Sequence, residues 1–106
     1  MITDDQAEKA ADWLTANAKE AGKLRGLRIY AEEYRKSLKA ILMAHSSAKS
    51  AADREQAAYS DEKYIAHLGV IRDAVTADEE NRALREAAAM RIETWRSQRA
   101  NERGRL

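Results

Sequence analysis

Cysteine is absent from the chain, which excludes disulfides and thiolate metal sites. Proline is absent too, and only four glycines occur, Gly22, Gly26, Gly69 and Gly104. Almost nothing in the sequence therefore breaks a helix. Phenylalanine is missing, and much of the apolar content is alanine, which buries little area per side chain. A thick globular core is out of reach of this composition, whereas a narrow seam between long helices needs fewer large side chains. No apolar run approaches the roughly 20 residues that span a bilayer. The N-terminus, Met1-Ile2-Thr3-Asp4-Asp5, is acidic where a signal peptide is basic. A cytoplasmic location is the expectation.

What is present is helix-forming. Alanine, glutamate, lysine, arginine and leucine dominate the 106 residues, and that length predicts one domain. The net charge is only +1, yet it is distributed in blocks. Residues 1–12 carry −3, residues 19–39 carry +4, residues 53–80 carry −5 and residues 81–106 carry +4. Folding the chain back on itself brings unlike blocks together, which favours an antiparallel hairpin over parallel or splayed helices. The predicted fold is thus all-α: two long helices, about 4–50 and about 61–102, with a break at about 50–60. Helix content above about 75% is expected.

Local signals place the ends. Thr3-Asp4-Asp5-Gln6 reads as a capping box, with the Thr3 hydroxyl accepting from the Gln6 amide and the Gln6 side chain reaching back. Asp4 and Asp5 suit the positive end of the helix dipole. Ser60, followed by Asp61 and Glu62, reads as the N-cap of the second helix, with Tyr59 and Tyr64 as its staple. Between them, Ser46 to Ala58 is rich in serine and alanine and is compatible with either helix or loop.

The apolar spacing gives two frames. Ala7, Ala10, Leu14, Asn17, Ala21 and Leu24 form one row. Leu24, Leu27, Ala31, Tyr34, Leu38, Ile41, His45, Ala48 and Ala52 form a second, joined to the first by a stammer flanked by Gly22 and Gly26. The second helix shows Tyr64, Leu68, Ile71 and Val75, then Leu84, Ala88, Ile92 and Trp95. Asp78, Asn81 and Arg82 interrupt its seam, and Asp78 is placed to pair with Arg82 at i,i+4. A fold-back at 53–60 brings Leu38 near Val75 and Leu24 near Ala88 and Ile92. It also brings Tyr34 near Asp78 and Asn81, where its hydroxyl either satisfies one of them or reaches solvent.

Chemistry finds little support. No phosphate-binding loop, nucleophile elbow or His-Glu-x-x-His motif occurs. Neither His45 nor His67 has a glutamate three residues before it, as a di-iron bundle requires. The two histidines sit near the same end of the hairpin, but no third ligand accompanies them. The expectation is a non-enzymatic protein with no catalytic, cofactor or metal site. Lys19, Lys23, Arg28, Arg35, Arg96 and Arg99 are candidate contacts to a partner or to nucleic acid. Acids compensate most of that charge, which favours a solvated, salt-bridged face. Leu42, Met43, Ile65, Trp13 and Trp95, off the seam or at its edge, are candidate interface residues. Two alanine-rich hairpins gain burial by pairing, so a homodimer forming a four-helix bundle is expected.

The stretches Tyr59-Ser60-Asp61-Glu62-Lys63-Tyr64 and, above all, Arg91-Ile92-Glu93-Thr94-Trp95-Arg96-Ser97 resemble a group of small helical proteins encoded by bacteriophages. Genes for that group often accompany recombination or single-strand-annealing genes. The similarity covers about the C-terminal half, with a fainter trace from Tyr30 to Ser50. It implies a phage accessory role; taken with the off-seam apolar residues, the expectation is an unidentified protein partner bound through a helical face in the host cytoplasm, with DNA recombination as the context. Nucleic-acid binding and inhibition of a host defence factor are the alternative readings.

Overall fold

The computed structural model describes residues 1–105, and among these it contains three helices and no strand. They are α1 (Asp4–His45), α2 (Ala51–Ser60) and α3 (Glu62–Gly104). No helix among the described residues is long and apolar enough to cross a membrane.

Helix α1 starts at the capping box. The Gln6 amide donates to Thr3 Oγ1 at 3.1 Å and the Thr3 amide donates to Gln6 Oε1 at 2.9 Å, so two of the amides that a helix start leaves unpaired are satisfied. The chain turns at Ser46–Ser50 and not at 53–60. The Ala48 amide donates to Ser46 Oγ, and the Arg54 guanidinium donates to the carbonyls of Ala48 and Lys49 at 3.2 and 3.0 Å. Ser50, extended at φ −95° and ψ 153°, caps α2 by accepting from the Asp53 amide. The segment predicted as the break is thus mostly a helix of its own.

A single extended residue, Asp61, separates α2 from α3. Its carboxylate accepts from the Lys63 amide at 2.8 Å, which makes Asp61 the N-cap in place of Ser60. The Ser60 hydroxyl instead donates back to the Gln56 and Ala57 carbonyls. The Tyr59–Tyr64 staple forms across this joint, with ring centroids 5.3 Å apart.

Packing divides the chain into two units, Met1–Lys23 with the chain from Glu79 onward, and Leu24–Asp78. In the first unit α1 and α3 run antiparallel. Arg85 donates to the Leu14 carbonyl at 3.0 Å and to Asn17 Oδ1 at 2.8 Å. Farther along, Trp95 Nε1 donates to Asp4 Oδ1 at 2.8 Å and Arg99 pairs with the same carboxylate. Ala7, Ala10 and Ala88 are buried here. In the second unit α2 and then α3 return antiparallel to the end of α1. Lys39 Nζ lies 3.1 Å from Glu55, His67 Nε2 lies 2.7 Å from the Ala31 carbonyl, and Arg28 Nη1 lies 3.2 Å from Asp78. Ala31, Leu38, Ala58 and Tyr64 are buried with Asp78.

These contacts correct the predicted seam. From Leu24 the inward spacing leads to Arg28 and Ala31, not to Leu27, so the first frame continues without a stammer. On α3 the inward positions are Tyr64, His67, Ile71, Ala74 and Asp78 in one unit, and Asn81, Arg85, Ala88, Ile92 and Trp95 in the other. Leu68 and Leu84, predicted seam residues, face solvent. Arg82 faces out as well and pairs with Glu79, while Asp78 pairs with Arg28. The earlier turn also shifts the register: Tyr34 meets His67, about three helical turns short of Asp78. A Cβ on Gly22 or on Gly26 meets nothing within 4 Å, so neither glycine serves a close helix approach.

Candidate functional site

In the second unit, α1 carries apolar side chains on two rows. The inward row holds Leu24, Ala31, Leu38 and Leu42. The outward row holds Leu27, Tyr30, Tyr34 and Ile41, spaced by three, four and seven residues and therefore on one side of the helix. These four are 52, 69, 36 and 46% exposed. Tyr30 and Tyr34 stack with centroids 6.0 Å apart and 10° between their planes. Tyr34 in turn meets the His67 ring edge-on at 5.2 Å. The Ala31 carbonyl can only accept, so His67 carries its proton on Nε2 and is fixed against α1. That ring props Tyr34 in its outward position. Ile65 and Val70 on α3 are exposed in the same unit.

The first unit offers a groove of about 550 Å³. Ala10 and Ala88, both buried, form its floor, because side chains this small leave a trough between the helices. Trp13 and Leu84 stand at its walls, 36 and 58% exposed. Lys9 and Arg91 line it as well, and no acidic residue does.

The candidate cationic residues are divided by these contacts. Lys19, Lys23 and Arg35 are exposed. Arg28 turns into the seam, with its Nε 3.0 Å from Glu32 and its Nη1 on Asp78. Arg96 pairs with Glu93 at 2.9 Å, and Arg99 pairs with Asp4 while lying 5.8 Å from the centre of the Trp95 ring. These candidate contacts therefore do not form one continuous cationic surface. Among the candidate interface residues, Trp13 and Ile65 are exposed and Leu42 and Met43 are half-buried. Trp95 is half-buried and held to Asp4.

His45 and His67 do not share a site. His45 Nδ1 lies 2.8 Å from the Ile41 carbonyl of its own helix, whereas His67 bonds across to Ala31. No group of three or more metal-ligating side chains occurs among the described residues. Sequence reasoning missed Leu27, Tyr30, Ile41 and Leu84 as surface residues. The available signal was a surplus: α1 has more apolar positions at three-four spacing than one seam can use. Compared with known proteins, the chain matches no family model, no curated protein and no solved structure.

Proposed function

We propose that the protein works by association through an exposed apolar helix face, not by catalysis, and that its first partner is a second copy of itself. The observation that carries this reading is the outward row Leu27, Tyr30, Tyr34 and Ile41, large side chains left in water beside a seam that is already closed. Single exposed apolar residues are ordinary; a row of them on one helix face marks an interaction site. Two copies meeting on this row give the helix pairs a second layer, as in a four-helix bundle. Net charge near zero opposes such pairing only weakly.

In this reading the chain is a phage accessory protein, in line with the resemblance of its C-terminal half, and recombination is the context that resemblance implies. The test is the double variant Leu27→Glu with Ile41→Glu. Both positions are exposed, so the helical circular dichroism of dilute protein should persist while association is lost. Association unchanged in the double variant would remove the row from the account. Nucleic-acid binding is the second reading, favoured by the exposure of Lys19 and Lys23 one helical turn apart. It requires an affinity that falls steeply with salt and is abolished by reversing those two charges.

A further inference from the structure

The groove of the first unit differs in kind from the apolar row, and we propose that it binds an acidic amphipathic helix from a partner protein. This goes beyond self-association and rests on other residues. Three features define the occupant. The floor of Ala10 and Ala88 and the walls of Trp13 and Leu84 make an apolar trough that takes large aliphatic or aromatic anchors. From Gln6 to Trp13 on α1 and from Leu84 to Arg91 on α3, the lining extends roughly 10 Å along each helix. That length is two turns, the span of anchors at i, i+3 or i+4, and i+7.

Charge sets the third feature. The rim presents Lys9 and Arg91, and the lining holds no acid. Arg91 has no ion pair among the described residues. Lys9 is 3.0 Å from Asp5, but that pair is an i,i+4 contact with both side chains more than 70% exposed, so it exchanges readily for a partner's carboxylate. A helix with glutamates flanking its anchors therefore fits, and one with lysines is repelled. A single-stranded nucleic acid would also meet cations and one ring. The alanine floor, however, offers bases no stacking platform beyond Trp13.

The probe is a fluorescently labelled synthetic helix of about 15 residues with leucine at i, i+3 and i+7 and glutamates between them. The same peptide with lysines in place of the glutamates is its counterpart. Titration with the full chain, read by anisotropy, should show the acidic peptide binding at least about tenfold more tightly, a 1.4 kcal/mol preference. Leu84→Ala should weaken binding, and Lys9→Glu with Arg91→Glu should reverse the preference. All three positions lie at the surface or at the rim, and circular dichroism checks that the helices persist. The Leu27→Glu, Ile41→Glu variant should bind the acidic peptide as the unmodified chain does, which separates this proposal from self-association.

Equal binding of both peptides, no binding of either, or displacement of the acidic peptide by an oligothymidylate would each overturn it. Loss of self-association in the Lys9→Glu, Arg91→Glu variant would also overturn it, because the groove would then hold a second copy.

Discussion

Asp4, though exposed, ties the start of α1 to α3. Its carboxylate accepts from Trp95 Nε1 and from Arg99, and these hydrogen bonds, Trp95 first, lower its pKa below the ordinary aspartate value. A lowered folded-state pKa means that the stabilisation is complete above the unfolded-state pKa and disappears as pH falls through the folded value. Trp95 fluorescence should therefore change with a midpoint below the ordinary aspartate value, and Arg99→Ala should move that midpoint upward. A midpoint at the ordinary aspartate value in the unmodified chain would contradict the contact. Asn81 shows the opposite case, since its Oδ1 is buried without a hydrogen-bond partner. Asn81→Leu removes an unsatisfied group and should raise stability by about 1–3 kcal/mol, read as a higher urea midpoint. Lower stability in this variant would show that the oxygen has a partner. Asp78 is buried and relies on Arg28. Arg28→Ala should cost roughly 3 kcal/mol, the low end for a buried pair because the arginine stays partly exposed.

At the scale of the helix, the sequence was most legible where the physics is local. The capping box at Thr3–Gln6 involves four consecutive residues and forms as read. The Tyr59–Tyr64 contact is equally local; the pairing of unlike charge blocks, seen in Asp4–Arg99 and Lys39–Glu55, is long-range and was legible from the block pattern of charge. Helix α2 was less legible, because Ser50, Ser60 and Asp61 can all cap a helix, and the bonds from Arg54 back to the Ala48 and Lys49 carbonyls that brace the turn have no simple sequence signature. The seam of the second unit was misread for a definite reason. Ranking positions by hydrophobicity selects Leu27, Tyr34 and Ile41 over Arg28, although Ala31 and Leu38 in the same row do turn inward. The inward row favours small residues that let helices approach, and it tolerates an arginine whose charge Asp78 answers. A Cβ at Gly22 or at Gly26 meets open space. Gly26→Ala should stabilise the chain by about 0.5–1 kcal/mol through helix propensity alone. A fall in melting temperature would instead indicate a neighbour packed against that face.

At the scale of the whole molecule, the helix pairs leave apolar area that intramolecular packing does not use. Among the described residues no large side chain is buried beyond Leu38 and Tyr64, and alanines provide most of the remaining core. Each alanine removes far less area from water than a leucine, so folding alone yields a modest margin and a second layer would add to it. The candidate site was half legible. Composition and periodicity indicated a helical surface, and Trp13 and Ile65, two of the interface candidates, are exposed. Which row faces outward depended on a register that sequence spacing did not determine, and Arg28, Arg96 and Arg99 carry partners that only the fold brings to them. The central claim is association through the outward row of α1. Sedimentation equilibrium of the unmodified chain across a wide concentration range tests it most directly. The account predicts a mass rising from 11.9 kDa to twice that value, whereas a single 11.9 kDa species at every concentration would contradict it.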